Sequence, residues 1–161
     1  MEQQAVGDWV TPEIAAFLNS IAEAEGTNIE NSYNIVVGLG KEGAVPYFSD
    51  YSQHPNIIGM RTSHGPSTAA GRYQLVKQTW DDLVKKNPEL TDFSPNNQDK
   101  AAWILAQRDY KTKTGRSLAD DLKNGETGYL SRLKTTWVGF SIKDPAALYN
   151  KYRKNTNATN R

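Results

Sequence analysis

The sequence contains no cysteine, which excludes disulfides and thiolate-ligated metal centres. Histidine is nearly as scarce. His54 and His64 are the only two, and their spacing matches neither HxxxH nor HExxH. No metal centre and no cofactor is expected. An excess of one charge is also missing: 19 Lys and Arg face 18 Asp and Glu, for a net charge of +1. That balance gives no support for a nucleic-acid partner. No apolar run approaches the roughly 20 residues that span a bilayer. Residues 1–10 lack the basic and apolar regions of a signal peptide. The expectation is synthesis in the cytoplasm without a leader and no membrane insertion. There is no internal repeat and no low-complexity segment.

What remains is an ordinary globular composition, 37% hydrophobic and 23% charged over 161 residues. This is enough chain for one domain with a real core. Residues 1–10 read as an N-terminal arm, residues 11–154 as a single domain, and residues 155–161 as a polar, frayed tail. Thr11-Pro12-Glu13 signals a helix start, with Thr11 as N-cap, and Gly26 is placed to end that helix. The texture then changes to Gly, Asn, Ser and Pro with short apolar runs. Residues 33–37 make the best strand candidate and residues 47–51 a weaker one. His54-Pro55 and Gly65-Pro66 mark loops. Helical spacing returns with Val76, Trp80, Leu83 and Val84, ending at Asn87-Pro88. A longer helix opens at Ser94-Pro95 and ends near Gly115. Short helices follow at 118–122 and 129–136, and a last one starts at Asp144-Pro145. The prediction is an α+β fold, mainly helical, with a small sheet-bearing lobe and a cleft between two lobes.

One carboxyl stands out on the first helix. At about 100° per residue, Ile14, Phe17, Leu18 and Ile21 form one apolar face, and Glu25 falls roughly 20° from Ile14. Glu23 falls on the opposite side, toward water. Apolar neighbours and the negative end of the helix dipole both raise the pKa of Glu25. A carboxyl kept protonated near neutral pH is what general-acid attack on a glycosidic oxygen needs. By spacing alone the commoner outcome is a boundary residue whose head sits in solvent or pairs with a lysine, so geometry makes Glu25 a candidate and no more.

The motifs along the chain carry a resemblance. Ala24-Glu25-Gly26-Thr27 closes the first helix. Tyr33 and Ile35-Val36-Val37-Gly38 follow, then Phe48-Ser49-Asp50-Tyr51-Ser52 with His54-Pro55, then Ala69-Ala70-Gly71-Arg72-Tyr73-Gln74-Leu75. Trp80 and Asp92-Phe93-Ser94-Pro95 with Gln98-Asp99 come later. This ordered set resembles the lambda-type lysozymes, a family of phage endolysins. The match runs from about Phe17 to Leu105 and more loosely to Trp137.

The resemblance implies a lysozyme-like fold and a lytic transglycosylase. Such an enzyme cleaves the β-1,4 bond between N-acetylmuramic acid and N-acetylglucosamine in peptidoglycan and leaves a 1,6-anhydromuramic acid end. It also implies that Glu25 is the catalytic acid and that Gln74 lines the substrate groove. Tyr33 and Tyr73 are further substrate-binding candidates through their ring faces. Arg72 reads as a structural partner of a carboxylate. Trp80, Trp103 and Trp137 read as core. Asp50, the rival second carboxylate, reads as part of a structural motif. A phage holin is the implied release partner, the enzyme a monomer, and a virion-carried role is an alternative setting. A hydrolytic muramidase on the same scaffold, with Asp50 or a positioned water in the second role, is the nearest competing reading. A non-catalytic glycan-binding or virion structural domain is the reading from another class. Two segments depart from the family pattern. Val138 to Pro145 replaces a Gly-rich stretch, which changes one lip of the groove, and Leu39 to Pro46 is longer.

Overall fold

The computed structural model describes residues 7–37, 47–58, 60–62 and 65–159. His64 and the long segment from Leu39 to Pro46 lie outside them.

The first helix, α1, spans Pro12–Glu25. Thr11 caps it by accepting the amide of Ile14 at 3.2 Å, and Gly26 ends it at φ 77°, a left-handed conformation that costs glycine nothing. Phe17, Leu18 and Ile21 are buried and make this helix the centre of the core. The other helices are α2 (Lys77–Lys86), α3 (Pro95–Thr114), α4 (Leu118–Lys123) and α5 (Pro145–Thr159). Two 3-10 segments, Leu130–Thr135 and Val138–Ser141, link α4 to α5. The second of these packs on α1. The polar tail expected from residue 155 is instead helical to Thr159, the last residues of α5. At the other end the arm is anchored where it meets the domain, because Trp9 Nε1 donates to Asn96 Oδ1 at 3.1 Å.

The sheet is small but sits elsewhere than expected. β1 (Met60–Thr62) and β2 (Gly65–Ser67) form an antiparallel hairpin with Arg61 opposite Pro66, where the sequence suggested only loops. The best strand candidate, 33–37, is not a strand. Ser32–Asn34 is a 3-10 turn, and Ile35 and Val36 make single bridges to Tyr47 and Ala70. The physical reason is burial on all sides. Ile35 and Val36 are both inaccessible, so their apolar run serves a packed crossing between lobes rather than one edge of a ladder.

Trp80 and Trp137 are buried as expected, and Trp103 is half-buried in an edge-to-face contact with Phe17. Trp80 stands at 90° to Phe93, with ring centres 4.8 Å apart.

Candidate functional site

Glu25 is the last residue of α1 and is half-buried. Burial pushes its carboxyl above the ordinary range, and an amide hydrogen bond from Gly139 opposes that push. Gly139 N donates to Glu25 Oε1 at 3.2 Å. The contact exists because the 3-10 segment lies directly on the end of α1. A Cβ on residue 139 would stand 2.1 Å from the Ala24 carbonyl oxygen. The departing segment that begins at Val138 therefore packs beside Glu25, by a tight glycine contact. Val138 and Ile142 are exposed on either side of it.

Glu23 behaves differently, and not as a solvated residue. Its Oε1 accepts from Tyr152 Oη at 2.7 Å and from Lys151 Nζ, so it joins α1 to α5. Partial burial raises its pKa, but the hydrogen bonds from Lys151 and Tyr152 and the charges of Lys151 and Lys143 outweigh this and hold it below the usual value. Two glutamates two residues apart thus have pKa values moved in opposite directions.

Behind Glu25 the chain is locked by a buried polar cluster. Thr27 Oγ1 donates to the Arg72 carbonyl oxygen. The Arg72 guanidinium, fully buried, donates to Ser32 Oγ at 2.7 Å and Asn19 Oδ1 at 2.6 Å. It lies over the rings of Tyr33 and Tyr73, 5.6 and 5.8 Å from their centres. Both phenols donate to Asp99 Oδ1, at 3.0 Å from Tyr33 and 2.6 Å from Tyr73. Burial and the Asp99 charge raise both phenol pKa values, so both remain donors. This placement corrects the expectation that the two rings face sugars. Tyr33 and Tyr73 are 5% and 1% exposed, and their faces and hydroxyls are engaged inside the protein. Arg72 is structural, but its hydrogen-bond partners are Ser32 and Asn19 rather than the carboxylate the sequence reading assigned to it. Gln98 stood in the sequence only as a member of the ordered motif set, and Asn19, which also completes the cluster, carried no signal beyond being a polar residue inside a helical run.

Residues 71–74 form a tight loop closed by paired hydrogen bonds between Ala70 and Leu75, of 3.1 and 3.0 Å. A Cβ on Gly71 would stand 2.3 Å from Gln98 Oε1, the atom that accepts the Arg72 amide at 3.0 Å. Gln74 occupies the left-handed region at φ 51°. Its Nε2 donates to the Gly71 carbonyl oxygen at 2.9 Å. Gln74 also lines a recess of about 220 Å³ with Val76, Thr79, Arg108, Thr136 and Trp137. Glu25 is not part of that lining. Trp137, which lines the recess and directly precedes the 138–141 segment, donates its Nε1 to the Tyr73 carbonyl oxygen at 3.0 Å.

Asp50 is exposed and accepts the Ser52 amide at 2.8 Å. That bond, with the Ser52 hydroxyl, lowers its pKa. His54 is buried. Its Nε2 meets the Leu75 carbonyl oxygen at 2.7 Å and its Nδ1 accepts the Asn56 amide at 3.0 Å. These partners define a neutral imidazole with its proton on Nε2. Among the described residues no group of three or more His, Asp or Glu side chains is placed to hold a metal ion. No helix among them is long and apolar enough to cross a membrane.

The model of the endolysin family matches residues 15–158. The chain belongs to the endolysin family. It is 33% identical to the endolysin of Escherichia phage P2 over 136 residues, covering 78% of this chain and 77% of that one. It is 39% identical to the endolysin of Escherichia phage lambda over 93 residues, 54% of each. The fold is that of the lysozyme from bacteriophage lambda, with a TM-score of 0.70 at 26% identity, over 90% of this chain and 94% of that one. The same lysozyme solved with a chitohexasaccharide matches equally, at 27% identity and a TM-score of 0.70. This endolysin is accordingly a lysozyme-like enzyme that degrades the cell wall.

Proposed function

We propose that this endolysin is a lytic transglycosylase, cleaving the β-1,4 MurNAc–GlcNAc bond with Glu25 as acid and then as base. The observation that carries this reading is the carboxyl of Glu25, half-buried at a helix end with its pKa raised by burial. A protonated Glu25 gives its proton to the leaving glycosidic oxygen as the C1–O bond breaks. The substrate's own N-acetyl group stabilises the cation at C1. The Glu25 carboxylate then takes the proton of the muramic C6 hydroxyl as the C6 oxygen bonds to C1. The anhydro ring closes and the enzyme regains its starting form. Water enters no bond, so no second carboxylate is required. Asp50, the rival, is fully exposed and held low in pKa by Ser52, an arrangement suited to closing a turn.

Gln74 is the substrate-binding side chain in this reading, its amide facing the N-acetyl group or a hydroxyl of the glycan. The lambda enzyme's complex with a chitohexasaccharide supports a glycan in the equivalent groove. Tyr33 and Tyr73 act behind the groove, through Arg72 and Asp99. The enzyme works as a monomeric single domain on the peptidoglycan of the host wall, and a holin gives it passage there.

The test is digestion of purified peptidoglycan with wild type and Glu25→Gln, followed by mass spectrometry of the released muropeptides. Anhydro ends from wild type and none from the variant are expected. Products heavier by one water would instead identify a hydrolytic muramidase. Equal clearing of cell walls by wild type and variant would remove Glu25 from the chemistry.

A further inference from the structure

The reading of Glu25 as an acid leaves open which of its two oxygens carries the proton, and what fixes that choice. We propose that Gly139 is the positioning residue for Glu25, its backbone amide holding Oε1 as an acceptor so that Oε2 is the oxygen that transfers the proton. This rests on Glu25 being the acid, as proposed above.

An N–H donor needs a lone pair in front of it. In a neutral carboxyl the carbonyl-type oxygen offers one with the greater negative charge, and the hydroxyl oxygen is the poorer acceptor. With Gly139 N 3.2 Å from Oε1, the proton of neutral Glu25 belongs on Oε2. After transfer both oxygens share the charge, and the amide bond to Oε1 strengthens because its acceptor is now ionised. The same amide therefore orients the acid and stabilises the base. It opposes the effect of burial on the pKa, which keeps the group within reach of both protonation states during one turnover.

Among the described residues, burial and the Gly139 amide are what act on the Glu25 carboxyl. Lys151 is paired with Glu23, Lys143 acts on Glu23, and Arg153 pairs with Glu13. The segment 138–141 supplies only its backbone. The amide reaches the carboxyl because residue 139 has no Cβ. An added Cβ would meet the Ala24 carbonyl oxygen at 2.1 Å, its carbon at 2.5 Å and the Ala24 Cβ at 3.0 Å. Two of these three are backbone atoms of α1, which a side-chain rotation cannot clear. Glycine at 139 is thus a condition of the contact.

Two variants separate the amide from the fold. Gly139→Ala forces the 3-10 segment off α1. Replacing the amide N–H of residue 139 by an ester oxygen, through incorporation of glycolic acid, removes the donor with no added bulk. The carboxyl of Glu25 is followed by carbon-13 NMR titration, and kcat/KM is measured against pH. In the ester variant the Glu25 titration moves upward, the alkaline limb of the rate profile moves with it, and kcat falls about tenfold or more at the plateau with KM little changed. Gly139→Ala, which removes both the amide contact and part of the burial, loses activity. An unchanged Glu25 titration in a folded ester variant overturns the proposal, as does a rate loss without movement of the limb. Full activity of Glu25→Gln would remove the acid role itself and the proposal with it. That outcome is distinguishable, because the ester would still shift the Glu25 titration.

Discussion

The hydroxyl of Thr27 donates to the backbone carbonyl of Arg72. This joins the residue two after Glu25 to the loop that carries Gln74. The segments that bear Glu25 and Gln74 are therefore one mechanical unit, held from behind by a guanidinium shared among Ser32, Asn19 and two tyrosine rings.

Arg72→Met should be strongly destabilising. It removes the donors to Ser32 and Asn19 and leaves those two buried acceptors without them. Breaking such a network costs about 3–5 kcal/mol. Arg72→Lys should recover little, because one ammonium cannot reproduce the planar fork. Denaturant melts of both variants check this. A Lys variant as stable as wild type would mean that only charge matters there.

Thr27→Val keeps shape and removes the hydroxyl. The Arg72 carbonyl loses a buried partner, which costs about 1–3 kcal/mol. Activity should fall further than this loss of stability accounts for, since the turn after Glu25 loses its tie to the Gln74 loop. Thermal unfolding and wall-clearing rates, measured on the folded variant, separate the two effects.

Glu25 links activity to stability with a definite sign. Its folded pKa lies above the unfolded value of 4.5. Its contribution to stability is therefore fully present below that value and lost as pH rises through the folded pKa. Glu25→Gln should be inactive, yet at neutral pH as stable as wild type or more so. Melting temperatures from acid to neutral pH for both proteins check this; a Gln variant less stable at neutral pH would contradict it. Glu23→Gln is the contrast. Its partly exposed tie to Lys151 and Tyr152 contributes about 0.5 kcal/mol, and catalysis should survive its loss.

His54 gives the opposite pH dependence. Burial depresses its pKa below the ordinary imidazole value of 6.5, the carbonyl of Leu75 opposes this, Lys77 adds to it, and Asp81 opposes it. The stability that neutral His54 contributes is present above the unfolded pKa and lost as pH falls through the folded one. His54→Gln, with no proton to bind, should lack that part of the acid destabilisation. Melts between neutral and mildly acidic pH report it.

The sequence by itself determined the helices, because their signals are local. Thr11, Pro12 and Gly26 bound α1, and Gly115 ends α3 at a left-handed φ. It also singled out Glu25 on the face shared with Phe17 and Ile21, since helical phase is set by residue count alone. The opposite phase of Glu23 predicted solvent, but α5 returns from more than 100 residues later to cover it. Only the tertiary structure decided that. It also decided that 33–37 crosses the core rather than joining a ladder, and that Tyr33 and Tyr73 turn inward. A ring suited to stacking on a sugar is equally suited to packing against a guanidinium, and only the position of Arg72 and Asp99 chooses between them. The amide that donates to Glu25 was likewise invisible along the chain. Gly139 looks like any loop glycine until α1 and the 3-10 segment meet, and then its missing side chain becomes the reason they can.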